Sequence, residues 1–142
     1  MAINFSKSFL KIIDANVNRA KEGIRVIEDI SRFLIINKKT MTYLKNIRHQ
    51  INILIKKVEP DYKKLLKARD SETDIGKNIN VKSEFKRKNL HEILIANFKR
   101  VQESLRVLEE ISKLKNTEIS HRFKNLRFKM YVLEKQFFIK ND

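Results

Sequence analysis

The chain has no cysteine, two glycines and one proline among its 142 residues. The lack of cysteine excludes disulfides and thiolate metal sites. Two glycines supply neither a phosphate-binding loop nor a dinucleotide-binding fingerprint, and they leave little material for β-hairpin turns. No run of about 18 apolar residues indicates a membrane span, and the first residues do not resemble a signal peptide. We therefore expect an all-α, cytoplasmic protein.

The charge is strongly one-sided. The 32 Lys and Arg residues outnumber the 17 Asp and Glu residues and give a formal net charge of +15. Such a charge is typical of proteins that bind nucleic acid or other polyanions. The lysines are spread over nearly every segment, whereas several arginines recur at matched positions of an internal repeat. Because arginine binds phosphate or carboxylate through two donors at once, the arginines are the better candidates for a specific site.

The internal repeat relates two long segments. Residues 15–31 read ANVNRAKEGIRVIEDIS, and residues 96–112 read ANFKRVQESLRVLEEIS, at an offset of 81. The identical positions hold Ala, Asn, Arg, Glu, Arg, Val, Glu, Ile and Ser, and most of these are polar. A second match, at an offset of 79, relates KNIR at 45–48 to KNLR at 124–127. The unit that repeats is therefore larger than one helix.

Apolar residues recur at steps of three and four in both halves, which predicts amphipathic helices. A capping box, formed by Asn89 and Glu92, marks the start of one of them. A further short helix is predicted at about 61–68. The long helices are predicted at about 7–37, 40–58, 90–115 and 117–139.

Two helical hairpins with short connections predict a four-helix bundle with an approximate internal two-fold axis. On this interpretation residues 1–142 form a single helical domain. Repeat one covers about 7–58, a connector covers 59–89, and repeat two covers about 90–140.

The connector contains ARDSETDIGKNIN, a segment without helical period. It opens a loop of about 18 residues, and long loops inside compact domains are usually functional or disordered. The functional interpretation is favoured because the loop combines an arginine with two aspartates and a glycine. These residues are Arg69, Asp70, Asp74 and Gly76.

The repeated Asn16 and Asn97 fall within the apolar arcs of their helices, with Arg19 and Arg100 at the margins. An amide facing the interior costs about 1–3 kcal/mol if one of its groups stays unpaired. Two interpretations are open. The amides fix helix register, as polar core residues do in coiled coils, or the two-fold axis gathers both asparagines and both arginines around one polar cavity.

The repeated glutamates have two kinds of expected role. Glu22 and Glu103 follow the repeated arginines by three residues, so each either forms an ion pair or faces the cavity, where it orients an arginine or holds a divalent metal. The remaining pairs are expected on the surface, on the opposite side. They are Arg25 with Glu28 and Arg106 with Glu109.

Small and unmatched residues give two further indications. Gly23 and its counterpart Ser104 indicate either close approach of two helices or room for a ligand. Arg48 is repeated in the second half, but the neighbouring His49 is not, since Phe128 stands in its place. His49 is therefore a candidate for a site built in one half only.

Four segments carry a resemblance to a known family: DANVNRAKEGIRVIEDISRF, KNIRH, ARDSETDIG and ANFKRVQESLRVLEE. Their order and spacing, from about Ile12 to Lys115, are similar to those of the strictly monofunctional hydroxymethylpyrimidine phosphate kinase. That family is a small helical domain often fused in front of thiamin-phosphate synthase and also found alone. This chain ends after its last predicted helix without a barrel, so it resembles the standalone form.

The resemblance implies transfer of the γ-phosphoryl group of ATP to 4-amino-5-hydroxymethyl-2-methylpyrimidine phosphate, with Mg²⁺, in thiamin biosynthesis. The product would pass to thiamin-phosphate synthase. An acceptor phosphate with a second pKa near 6 is largely dianionic at pH 7, so the enzyme needs cations that neutralise two anions more than it needs a strong base.

Chemistry suggests a role for each candidate residue. Catalytic roles are expected of Arg19, Arg48, Arg100 and Asp70. Substrate binding is expected of Asn16, Asn97, His49 and Arg69. Mg²⁺ is expected at Asp70, Asp74, Glu22 and Glu103.

Three other functions stay open from the sequence. A basic helical module would bind nucleic acid, although repeated glutamates on an open surface would repel phosphates. A helical mutase of the chorismate type would bind a dicarboxylate through arginines without ATP or metal. A purely structural bundle would have no site at all. A homodimer that completes the site is also left open.

Overall fold

The computed structural model describes residues 5–79 and 86–139, and the prediction of an all-α fold is confirmed there. One boundary was wrong, because the first long helix does not continue as an α-helix to residue 37. It ends at Asp29 and passes into a π-helical turn, Ile30–Leu34. The helices are α1 (Phe5–Asp29), α2 (Lys38–Val58), α3 (Tyr62–Ala68), α4 (Leu90–Ser112) and α5 (Thr117–Ile139).

Side-chain caps start the helices after α1. Asn37 accepts a hydrogen bond from the Thr40 amide at the start of α2, and Asn116 does the same for the first turn of α5. Of the predicted capping box of α4, the bond to the N-cap side chain is present, since Asn89 Oδ1 lies 2.9 Å from the Glu92 amide nitrogen. The Glu92 carboxylate accepts a hydrogen bond from the Lys88 amide instead of the Asn89 amide, so the reciprocal bond of the box is shifted by one residue. Each cap satisfies an amide that has no partner within its own helix.

The four long helices form a square. Helix α1 packs against α2 and α4, and α5 packs against the same two helices, so that α1 and α5 occupy one diagonal. The short α3 packs on α1. The core between them is apolar, and its largest fully buried side chains include Phe98, Phe123, Ile24, Leu44, Ile51 and Met130. None of the helices in the described ranges is apolar over a length that could cross a membrane.

The contact between α1 and α4 is close at Gly23. A Cβ atom there would lie 2.8 Å from Val101 Cγ2 and 3.3 Å from the Asn97 carbonyl oxygen. Its counterpart Ser104 is buried and turns its hydroxyl back to the Arg100 carbonyl oxygen, 2.6 Å away. Of the two interpretations of the small residues, the structure confirms close helix approach.

Replacing Gly23 by leucine is expected to lower the free energy of unfolding by about 1–3 kcal/mol, because the added atoms overpack the contact with Val101. Gly23→Ala is the matched control. Its crowding is opposed by a gain of about 1 kcal/mol in helix propensity, so its stability should stay closer to that of the wild type. Urea unfolding followed by circular dichroism measures both. Equal stability of the leucine variant and the wild type would contradict the close packing.

The repeated Glu28 and Glu109 are buried, which corrects the prediction of surface ion pairs on the opposite side. Glu28 Oε1 accepts a hydrogen bond of 2.8 Å from Arg48 Nε, and the exposed Arg25 lies 3.4 Å from the other oxygen. The prediction failed because the apolar arc of α1 does not by itself show that α2 covers this side of the helix.

The second hairpin repeats the arrangement. Glu109 Oε1 accepts hydrogen bonds of 3.1 and 2.9 Å from Arg127 Nε and Nη2, and Oε2 lies 3.0 Å from Arg106 Nη1. Burial lowers the pKa of Arg127, but hydrogen bonds to Tyr131 and Glu109 outweigh it and the net shift is upward. In each hairpin a buried carboxylate of the first helix therefore joins an arginine of the second, which explains why these residues repeat.

Candidate functional site

A groove of about 420 Å³ lies between the first half of α1 and the connector loop, residues 69–79. Helix α1 supplies three polar side chains to its wall, and the loop supplies an arginine and two aspartates. They are Lys11, Asp14 and Asn18 from α1, and Arg69, Asp70 and Asp74 from the loop.

Arg69 is fixed to α1 by two parallel hydrogen bonds. Its Nε and Nη2 atoms each lie 2.8 Å from an oxygen of Asp14. Asp14 is buried, and its hydrogen bonds raise the pKa of Arg69 against the opposing effect of burial. The Arg69 amide also caps α3 through the Leu65 and Leu66 carbonyl oxygens. The side chain of Arg69 thus ties the start of the connector loop to α1, and its backbone amide ties it to α3.

The two aspartates of the loop each use an oxygen to shape a turn. Asp74 Oδ1 lies 2.8 Å from the Gly76 amide nitrogen, and Asp70 Oδ1 lies 3.3 Å from that of Thr73. The hydrogen bonds from Thr73 hold the pKa of Asp70 below its ordinary value, with a smaller contribution from Lys11. Asp70 is therefore a carboxylate, not a carboxylic acid, at neutral pH.

The sequence predicted part of this groove. Arg69, Asp70 and Asp74 meet there, as expected from their place in the loop. Asp14 and Asn18 were not predicted, because the site residues expected on the helices were those that the repeat retains. Their counterparts in the second repeat are Ile95 and Lys99. The sequence signal that could have identified Asp14 and Asn18 is therefore their difference from the matching residues of the second repeat.

Asn16 and Asn97 make the same hydrogen bond in their two helices. Each side-chain amide donates to a carbonyl oxygen four residues back, that of Ile12 at 2.9 Å and that of Ile93 at 2.8 Å. The Asn97 backbone lies opposite Gly23. Gly23 follows Asn16 by seven residues, or about 10 Å along α1. The two asparagines therefore occupy equivalent but separate places.

Arg19, Arg100, Glu22 and Glu103 are exposed. Within residues 5–79 and 86–139 none of the four takes part in an ion pair. The expected pairs at a spacing of three residues are therefore not formed. Arg19 instead lies 3.5 Å from the Asn16 side-chain oxygen. The four charged groups are left on the outer surfaces of α1 and α4.

The carboxylates predicted to bind metal do not share one site. In the part of the chain that the structure describes, no three His, Asp or Glu side chains are grouped so as to hold a metal ion. Glu22 and Glu103 thus lie apart from Asp70 and Asp74, which line the groove. Mg²⁺ is commonly held by one or two carboxylates together with substrate phosphates. The Asp70 and Asp74 pair fits that mode of binding.

Arg48 and His49 lie on α2 and not in the groove. Arg48 is bound to Glu28, which follows Asp14 by fourteen residues, or about 21 Å along α1. His49 is exposed and lines a shallow pocket with Asn46 and Asn52. The predicted candidates therefore fall into separate regions of the bundle.

Comparison with known proteins relates this chain to one family. A family model described as the ThiD2 family matches residues 11–136. Three curated relatives share the name thiamine-phosphate synthase. They come from Prochlorococcus marinus, Thermosynechococcus vestitus and Nostoc punctiforme, and they are 38%, 39% and 40% identical over 124 residues. Each alignment covers 87% of this chain and 34% of the relative, so the chain spans about a third of their length. No solved structure matches.

Proposed function

Since the chain belongs to the ThiD2 family, we propose that it is a kinase of thiamin biosynthesis. Its substrate would be 4-amino-5-hydroxymethyl-2-methylpyrimidine phosphate, its phosphoryl donor ATP and its product the diphosphate. The thiamin context is supported by the relatives, which carry the name thiamine-phosphate synthase. The kinase activity is supported by the family resemblance of the motifs and by the chemistry of the groove.

The observation that carries the proposal is the meeting of a fixed arginine and a lysine with two aspartates in the groove. Arg69 is held in place by Asp14, and Lys11 lies on the same wall. Asp70 and Asp74 face these cations and would repel a phosphate unless a divalent cation lay between them. Phosphoryl transfer depends on positioning and on neutralising charge, and this set of side chains supplies both.

The reaction joins two anions. An oxygen of the substrate phosphate attacks the γ-phosphorus of ATP, the bond from that phosphorus to the β,γ-bridging oxygen breaks, and ADP leaves. Arg69 and Lys11 would contact the phosphate oxygens, and Asn18 would orient the acceptor. Asp70 and Asp74 would hold Mg²⁺, which when bound supplies positive charge to the nucleotide phosphates. A dianionic acceptor needs no strong general base.

The polar residues of the repeat have different places in this proposal. Arg19 and Arg100 stay candidates for phosphate contact because they are exposed and form no ion pair among the described residues. Asn16 and Asn97 already donate to carbonyl oxygens of their own helices, so we assign them to the scaffold.

Release of ADP from Mg-ATP, with the pyrimidine monophosphate and the free pyrimidine offered in parallel, tests the function. We expect turnover with the monophosphate alone, because the free pyrimidine lacks the phosphate that Arg69 and Lys11 would contact, and sites built for a polar group reject analogues that lack it. Asp74→Asn is expected to lower turnover, whereas Glu72→Gln, on the same loop, should not. Absence of ADP release from a folded wild-type protein would refute the proposal.

A further inference from the structure

The two hairpins differ around their matched arginines. In the second hairpin Arg127 donates to Glu109 through Nε and Nη2, and its Nη1 lies 3.1 Å from the Tyr131 hydroxyl. Its guanidinium carbon also lies 5.0 Å from the ring centroid of Phe128. The side chain is only 10% exposed. Arg127 is thus fully engaged inside its own chain.

Arg48 is less engaged. It donates to Glu28 through Nε and Nη2, and its Nη1 has no partner in the part of the chain that the structure describes. His49 and Asn52 occupy the places that the aromatic rings Phe128 and Tyr131 occupy in the second hairpin, at the offset of 79. The aromatic cover over the arginine is therefore absent from the first hairpin.

A pocket of about 310 Å³ lies beside Arg48, and we name it the Arg48 pocket. Four cationic side chains line it, together with two acidic ones. The cations are Arg25, Arg32, Lys45 and Arg48, and the acids are Glu28 and Asp29. Both oxygens of Glu28 already accept hydrogen bonds from arginines. The cations outnumber the acids, and the buried carboxylate orients two of the three guanidinium groups.

Arg32 and Lys45 are left without a carboxylate. Neither takes part in an ion pair within residues 5–79 and 86–139, and Arg32 instead lies over the Phe33 ring. The counterpart of Arg32 is Lys113, and there Glu110 lies 2.6 Å from the lysine nitrogen. The second hairpin therefore neutralises its cation at this place with Glu110, whereas Arg32 of the first hairpin forms no ion pair among the described residues.

The backbone differs at the same corner. The π-helical turn Ile30–Leu34 belongs to the first hairpin, whereas α4 remains an α-helix to Ser112. Ile36 has φ of 59°, a left-handed conformation that costs a residue with a Cβ atom about 1–2 kcal/mol. Single π-helical turns and strained residues cluster at functional sites. This is a second, independent sign that the corner beside the Arg48 pocket has a role.

We propose that the Arg48 pocket binds a phosphate-bearing anion, with a diphosphate group as the class of ligand. Guanidinium groups match the oxygens of phosphate with paired donors, and the pocket offers three of them plus Lys45. Because it lies about 21 Å along α1 from Asp14, a ligand there does not exchange a phosphoryl group with one in the groove. The pocket is thus a second site, and it does not depend on the kinase proposal.

Calorimetric titration with inorganic pyrophosphate in the absence of divalent cations tests this site. Arg32→Ala and Lys45→Ala are expected to weaken binding at least tenfold. Both positions are exposed, so the variants should keep the thermal unfolding midpoint of the wild type. Lys113→Ala and Lys124→Ala remove the matched charges of the second hairpin and should leave the affinity within about twofold of wild type, since a lost surface charge is worth little.

Two further measurements distinguish the possible ligands from one another and the Arg48 pocket from the groove. Titration with ADP in place of pyrophosphate shows which of the two ligands binds more tightly. Tighter binding of either ligand supports the site, provided that Arg32→Ala abolishes that binding. Asp74→Asn, in the groove, should leave pyrophosphate binding unchanged even if the kinase proposal fails. The inference is overturned if the wild type shows no saturable binding or if both hairpins' variants weaken binding equally, because the latter would indicate attraction to net charge alone.

Discussion

Glu109→Leu is expected to lower the free energy of unfolding by about 3–5 kcal/mol, the cost of leaving a buried charge without its partner. Arg127 is 10% exposed at its side chain and loses both hydrogen bonds to Glu109 in this variant. Tyr131 remains as its hydrogen-bond acceptor, but a hydroxyl does not neutralise a guanidinium group. Urea unfolding at neutral pH, followed by circular dichroism, measures the loss.

The control is Arg106→Ala, which removes the other partner of Glu109. Arg106 is 54% exposed at its side chain, and an exposed ion pair contributes about 0–1 kcal/mol. The double variant Glu109→Leu with Arg127→Met removes both buried charges and should recover much of the loss, as apolar replacements of buried ion pairs do. The burial argument fails if Arg106→Ala costs as much as Glu109→Leu, or if the double variant is no more stable than the single one.

The helical fold was accessible from the sequence because its signals are local. Period and caps mark the helices, and the matched segments at 15–31 and 96–112 imply two hairpins. What was not accessible depends on contacts between helices. Glu28 lies at the margin of the apolar arc of α1 and becomes buried only because α2 covers it. The π-helical turn could not be predicted from local sequence either, because its apolar residues continue the helical period of α1.

The residues that line the groove were predicted where they lie in the loop and were missed where they lie on α1. The loss of helical period after Ala68 marks a loop, and Arg69, Asp70 and Asp74 stand out there by their chemistry. Asp14 lies 55 residues before Arg69 in the chain, and only the packing of α3 on α1 brings them together. A carboxylate among the apolar residues of α1, where the second repeat has Ile95, is the one local sign of that contact.

Arg69→Ala is expected to lower kcat/KM for the monophosphate by about 10²- to 10³-fold, as loss of one preorganised donor does at sites of charge stabilisation. Asp14→Asn tests the geometry separately. It keeps the size of the side chain but leaves one of its two acceptors unable to take a bond from Arg69, so the guanidinium group is no longer fixed by two parallel bonds. A displacement of about 1 Å costs about 10²-fold in such systems. Steady-state kinetics with each substrate varied in turn measures both variants.

Arg69→Lys decides whether geometry or charge matters. Lysine keeps the positive charge but lacks the planar pair of donors, so it should restore little activity, and Asp14→Asn should raise KM for the monophosphate more than KM for ATP. Lys67→Ala, on the exposed side of α3, removes a nearby charge outside the groove and should leave both constants unchanged. Full activity of Arg69→Lys, or an equal loss in Lys67→Ala, would show that the groove responds to net charge and that the Asp14–Arg69 pair does not position a catalytic group.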